Sequence, residues 1–183
     1  YKYTALQSSF SVNNIALVNG RPKMLNLKEM ISHFVNHRHE IVTRRAKYEL
    51  KKAEERAHIL EGMIIASDNI DEVISLIKSS NNAEEAKSKL IEKFNLSDVQ
   101  AKAIVEMRLR QLTGLEQDKL RTEYDELQKT IEDLKDILEK KIRRMQIIKD
   151  ELHEIKNKYG DERRSAIDYA GGSFRVEDII PDE

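Results

Sequence analysis

The sequence predicts a mainly α-helical protein: a long antiparallel coiled coil carrying a small globular helical tip, with a short β-hairpin at its N-terminal end. Two apolar stripes and one turn signal lead to this fold. Leu120, Tyr124, Leu127, Ile131, Leu134, Leu138, Met145, Ile148, Leu152, Ile155 and Tyr159 recur at alternating three- and four-residue steps, interrupted only at Lys141. Such spacing keeps one apolar stripe on one face of a supercoiling helix. A rod of that length, on the order of 60 Å at 1.5 Å per residue, needs a partner of similar length. The second stripe supplies it: Ile31, Val35, Val42, Ala46, Leu50, Ala53, Ala57, Leu60 and Ile64. The turn signal is Asn19-Gly20 between two short extended runs, because that pair accepts the positive φ angles of a tight hairpin.

In chain order, residues 1–25 read as the end of a β-bearing region. Ile15 to Val18 and Arg21 to Leu25 form the hairpin strands, and Pro22 belongs on an edge. Residues 26–67 form the first arm, opened by a capping box between Asn26 and Glu29. The small side chains Ala46, Ala53 and Ala57 permit close approach of the partner rod. Residues 68–113 form the tip. A first short helix runs to Ile77, a second is capped by Asn82 with Glu85, and a third is capped by Ser97 with Gln100 and runs to Leu112. Residues 114–160 form the second arm, launched by Thr113 with Glu116 and ended at Gly160. Residues 161–183, with Gly171-Gly172 and Pro181, read as a linker toward a further domain. The first residue is Tyr rather than Met, so the chain is expected to be a piece of a longer one.

Composition agrees with exposed helices. Charged residues make up 36% of the chain and aromatic ones only 5%, which suits rods better than a compact sphere. The absence of cysteine excludes disulfides and thiolate-ligated zinc. No apolar run reaches the length of a membrane span. The net charge of −1 conceals a gradient along the paired arms. If residue 27 faces about residue 155, then Arg38, Arg44, Arg45, Lys140, Lys141, Arg143 and Arg144 gather toward the base, while residues 116–139 are mostly acidic. A basic cluster of this kind suits a polyanion. It equally suits a solvated coiled-coil face.

Catalytic signatures are missing from the sequence. There is no glycine-rich phosphate loop, no G-x-S-x-G and no HExxH. His33 and His37 share a helix face, but no carboxylate joins them at metal-ligand spacing, so they read as a surface pair. Tyr124 and Tyr159 occupy seam positions, and Tyr3 lacks a positioned base.

Several words of the sequence resemble one family. They are Tyr1-Lys-Tyr-Thr-Ala-Leu-Gln7, Asn19-Gly-Arg-Pro-Lys23, His37-Arg-His-Glu40, Arg56-Ala-His-Ile-Leu-Glu-Gly62 and Asn69-Ile-Asp-Glu-Val-Ile74. Gln100-Ala-Lys-Ala-Ile-Val-Glu-Met-Arg-Leu109, Leu112-Thr-Gly-Leu-Glu116 and Tyr159-Gly-Asp-Glu-Arg-Arg164 continue the series. In order and spacing they resemble the A subunits of bacterial DNA gyrase, a type IIA DNA topoisomerase. The last two words favour gyrase over the A subunit of topoisomerase IV.

The resemblance implies the coiled-coil arms and exit gate of an isomerase that breaks, passes and rejoins double-stranded DNA with ATP, introducing negative supercoils. It implies a homodimer through the tip, with Ile104, Met107, Arg108, Leu109 and Leu112 as interface candidates, and a basic arm facing DNA. The family's cleaving tyrosine follows an arginine, and no tyrosine here does. This piece is therefore expected to be inactive alone and to hold no cofactor, with magnesium and ATP on the gyrase B subunit of the parent complex. A cytoplasmic, nucleoid-associated location is implied. The alternatives are a topoisomerase IV A subunit and a non-enzymatic coiled-coil hinge or adaptor.

Overall fold

The computed structural model describes residue 6, residue 8, residues 10–107 and residues 114–167, with the side chain of Leu115 left aside. The chain divides into two compact units, residues 1–149 and residues 150–183.

The first unit opens on a two-stranded antiparallel sheet. Strand β1 (Ile15–Val18) pairs with β2 (Arg21–Met24) in the register Ile15↔Met24 to Val18↔Arg21. The turn has φ of 52° at Asn19 and 76° at Gly20, the doubly positive pair that a two-residue hairpin demands. Pro22 lies opposite Leu17 in this two-stranded sheet, where its missing N–H has an open edge to face.

Helix α1 (Leu27–Asp68) is 42 residues long. Both halves of its capping box form: Asn26 Oδ1 accepts from Glu29 N–H, and Glu29 Oε2 accepts from Asn26 N–H, each at 2.9 Å. Three short helices follow, α2 (Ile70–Lys78), α3 (Ala83–Phe94) and α4 (Asp98–Val105). They enclose a core of Ala66, Val73, Leu90, Leu96, Ala101 and Ile104. Asn82 caps α3 by accepting from Glu85 N–H at 2.8 Å. The reciprocal arm of that box is not made, because the Glu85 carboxylate turns to the Asn81 N–H and side chain and to Lys89. Lys89 chiefly, and then Asn81, hold the Glu85 carboxyl down at about 2. Helix α4 ends at Val105, short of the Leu112 expected from sequence, and residues 108–113 lie outside the described set.

Helix α5 (Gly114–Glu139) runs back along α1. Ala53 and Ala57 of α1 pack with Ile131, and Ala46 packs with Leu134 and Ile137. Arg56 meets Glu123 at 2.8 Å, Glu54 meets Lys135 at 3.2 Å, and Asp68 pairs with Arg121. The arms are therefore antiparallel in the anticipated register.

The second arm is not one helix. It breaks at Lys140 and resumes as α6 (Lys141–Tyr159). No Pro or Gly causes this. A strict heptad would bring Lys141 into the seam between Leu138 and Met145, and burying an unpaired ammonium is costly. The chain instead turns Lys141 outward to an exposed position and brings Ile137 and Ile147 into the packing beside Leu138. Ile148 is 2% exposed, whereas Met145 reaches the surface.

In the second unit the helix ends at Tyr159, and Gly160 N–H closes it onto the Lys156 carbonyl at 2.7 Å. Leu152, Ile155 and Tyr159 are exposed, and the Tyr159 ring carries the Lys158 ammonium 5.2 Å from its centroid. Tyr124 does pack partly buried against the Ala53, Ala57 and Ile131 cluster.

Tip and arm meet at a close approach that requires glycine. A Cβ on Gly62 would stand 2.7 Å from Gln100 Cβ and 2.8 Å from its Cγ. Gly62→Ala must push α4 away from α1, and overpacking of this kind costs about 1–3 kcal/mol. A thermal melt should show a fall of several degrees with helix content unchanged at low temperature.

Candidate functional site at the tip and on the arm

The tip presents an apolar groove between α2 and α4. Ile70, Ile74, Ile77, Val105 and Met107 line it, and its volume is about 260 Å³. Of the interface candidates, Ile104 is 3% exposed, belongs to the tip's own core and also lines the floor of this groove. Met107 packs partly buried against that core and lines the groove. Arg108, Leu109 and Leu112 fall outside the described residues.

The basic cluster on the arm is thinner than its sequence suggests. Arg143 Nη1 donates to Asp133 and to Asp136, both at 2.8 Å. Asp136, and then Asp133, raise its pKa. Lys140 pairs with Asp136, whose pKa is lowered by Lys140 first and Arg143 next. Arg144 Nη1 donates to the carbonyls of Ile137 (2.9 Å) and Leu138, and its Nε donates to His39 Nε2 at 3.0 Å on α1. These carbonyls belong to the last turn of α5, whose acceptors lack helical partners. Arg144 therefore caps the broken helix and ties it to the other arm. A side chain bonded into the ladder is a recognised cause of a helix break. Lys140, Arg143 and Arg144 are thus engaged within the chain. Arg44, Arg45 and Lys141 are exposed, and Arg38 is half-buried.

A third constellation was not read from the sequence. His58 on α1 meets Ser97 and Gln100, which open α4. Ser97 Oγ lies 2.6 Å from His58 Nε2 and accepts from Gln100 N–H at 3.2 Å. The Gln100 amide accepts from Ser97 N–H at 2.9 Å and donates to the His58 carbonyl at 2.8 Å. Gln100 is the one buried polar side chain among the described residues, at 5% exposure. The capping box was legible as local sequence, but its contact with a histidine 39 residues away was not. The only advance signal was Gly62, one turn after His58.

Among the described residues no cluster of three metal-ligating side chains exists, and His33 and His37 stand exposed on α1. No helix of the described residues is long and apolar enough to cross a membrane.

These features define a class: a pair of antiparallel helical arms with a helical tip packed on the end of the first arm through an apolar core and a few polar bonds. The family model for the A subunit of DNA gyrase/topoisomerase IV matches residues 1–153, and the chain belongs to that family. It is 51% identical over 183 residues to the DNA gyrase A subunit of Clostridium acetobutylicum, covering all of this chain and 22% of that protein. It is 52% identical over 184 residues to the gyrase A subunit from a Staphylococcus epidermidis strain, covering all of this chain and 21% of that protein. For Halalkalibacterium halodurans the identity is 53% over 181 residues, covering 99% of this chain and 22% of that protein. The chain spans about a fifth of the length of the curated relatives it matches.

The geometry separates two neighbouring cations. Arg144→Ala strands two carbonyls and the link to His39, so it should cost about 1–3 kcal/mol. Lys141→Ala touches an exposed side chain and should stay within about 0.5 kcal/mol of the parent. Urea titration of both variants checks the contrast.

Proposed function

We propose that this chain is the arm and exit-gate part of a DNA gyrase A subunit. The observation that carries the reading is identity of 51–53% to gyrase A subunits over essentially its whole length, joined to an arm-and-tip architecture. In the parent enzyme a duplex is cut, a second is passed with ATP, and the passed duplex leaves where the tips of two A subunits part. The chemistry belongs elsewhere in that enzyme. The cleaving tyrosine is not in this chain, and magnesium and ATP are expected on the B subunit. This piece supplies dimerisation and gating, in the cytoplasm.

The arms give the gate reach without mass. A 42-residue helix carries the tip about 60 Å from its base. The tip gives closure. Met107 lines the groove and is followed in sequence by the candidates Arg108, Leu109 and Leu112, and an exposed apolar groove suits a self-complementary twofold contact. Sedimentation of the chain should show a dimer. Leu109→Glu with Leu112→Glu should give monomers of unchanged helix content by circular dichroism. A dimer surviving that double change would move the interface off the tip and favour an adaptor role.

The exposed cations Arg44 and Lys141 make a weak lining for a passing duplex, with Arg45 beside them, itself also in contact within the chain. Counterion release favours binding without base specificity, at ~10⁻⁴ M or weaker at physiological salt. Fluorescence binding at low salt should weaken when Arg44 and Lys141 are both changed to Glu, and the salt slope should fall by about 0.9 for each phosphate no longer neutralised. Equal affinity before and after would reduce the cluster to a solvated face.

A further inference from the structure

The bonds between arm and tip fix the protonation state of one histidine. Gln100 is held at both ends of its amide: its oxygen accepts from Ser97 N–H, and its nitrogen donates to the His58 carbonyl. A flipped amide would set donor against donor and acceptor against acceptor. The NH₂ group must therefore face His58, and its nitrogen lies 3.4 Å from Nδ1. Nδ1 is then the acceptor, and Nε2 carries the proton and donates to Ser97 Oγ at 2.6 Å. Ser97 Oγ uses its second lone pair on Gln100 N–H. Both lone pairs of Ser97 Oγ are then in use and its own hydrogen is left to solvent, and the contact at Nδ1 is the one that a neutral ring satisfies and an imidazolium does not.

We propose that His58, Ser97 and Gln100 form a proton-sensitive latch that is closed between arm and tip when His58 is neutral and opens when it gains a proton. A proton on Nδ1 faces the amide NH₂ of a buried side chain that cannot turn. His58 itself is exposed, so the ring takes a proton from solvent without prior unfolding and swings out. Leaving, it removes its donor from Ser97 Oγ. The Gln100 bond to the His58 carbonyl remains, so the tip loosens rather than detaches. The groups around the ring set where it goes. Glu54 and Glu61 flank it on α1, Tyr124 and Lys135 approach from α5, and Asp98 follows Ser97 on α4. Lys135 holds Glu54 at 3.2 Å and Lys87 holds Asp98 at 3.0 Å. Glu61, three residues beyond His58 on the same helix face, receives the imidazolium. The closed latch binds no proton at Nδ1 and the open one does, so linkage makes closure weaken as pH falls.

The inference is independent of the gate reading and is tested on the 183-residue chain. Long-range proton–nitrogen correlation at neutral pH should show His58 wholly as the Nε2–H tautomer; an Nδ1–H tautomer overturns the proposal. Amide exchange in α4, taken relative to unstructured-peptide rates, should speed up about tenfold between pH 7.5 and 5.5, the loss of one or two neutral hydrogen bonds. His58→Asn should remove that pH response; a response equal to the parent's overturns the latch. Gln100→Glu places a carboxylate oxygen against Nδ1, so it should reverse the direction and protect α4 better at pH 5.5. The parent's direction persisting in Gln100→Glu also overturns it. Because the Glu variant is read against itself at two pH values, the test stands even where His58→Asn fails to fold.

Discussion

A helix in a protein draws most of its stability from packing an apolar face, and the first unit is organised around covering one side of the 42-residue α1. The covering is asymmetric. Where α1 faces α5 its buried positions are small, Ala46, Ala53 and Ala57, and α5 sets Ile131, Leu134 and Ile137 against them. Small against large lets the backbones approach and fills the gap with branched carbons. Register follows, because a slip along the seam would lift Ile131, Leu134 and Ile137 off the alanines that make room for them. The ion pairs Arg56–Glu123 and Glu54–Lys135 sit at the edge of this seam, largely solvated. Pairs so exposed contribute little to stability. They match the register that packing has already chosen.

What the sequence disclosed was whatever depends on short range or on strict periodicity. The Asn26–Glu29 box, the Asn19-Gly20 turn and the Ser97–Gln100 box each lie within four residues, and each forms as expected. The two stripes pointed correctly to an antiparallel pair. The misses share a different cause. Lys141 interrupted the heptad, and the sequence pattern favoured a long side chain lying along the seam; in the structure the helix breaks instead and releases it. The second outcome prevails because Arg144, three residues on, bonds the stranded carbonyls of Ile137 and Leu138. A count of basic residues likewise did not reveal that Asp133 and Asp136 take up Arg143.

Two histidines of α1 mark places where the arm bonds another element through partly shielded polar groups. His39 accepts from Arg144 at the break in the second arm, and His58 meets Ser97 and Gln100 at the root of the tip. Between them the contact is the alanine seam, with the solvated pairs Glu54–Lys135 and Arg56–Glu123 at its edge. An apolar seam resists bending through area and shape, and it yields only when packing is lost. A few hydrogen bonds behave otherwise: water can replace each of them, and each has a direction. The arm is thus a stiff segment bounded by two joints of low net bond energy but definite geometry.

That division bears on the gate proposed for the parent enzyme. A gate that must open and reclose needs its compliance confined, since a rod that bends everywhere transmits no force to its tip. Stiffness comes from Ala46 to Ala57 against Ile131 to Ile137, and compliance from the polar joints beyond either end. Gly62 belongs to the same logic. It lets Gln100 lie so close to α1 that the amide reaches the His58 carbonyl, so the joint is short and its angle defined. A longer side chain at position 62 would force the tip outward and leave Gln100, buried at 5% exposure, without the carbonyl that orients it. The small residue there serves the geometry of the joint, just as the alanines nearer the base serve the stiffness of the seam.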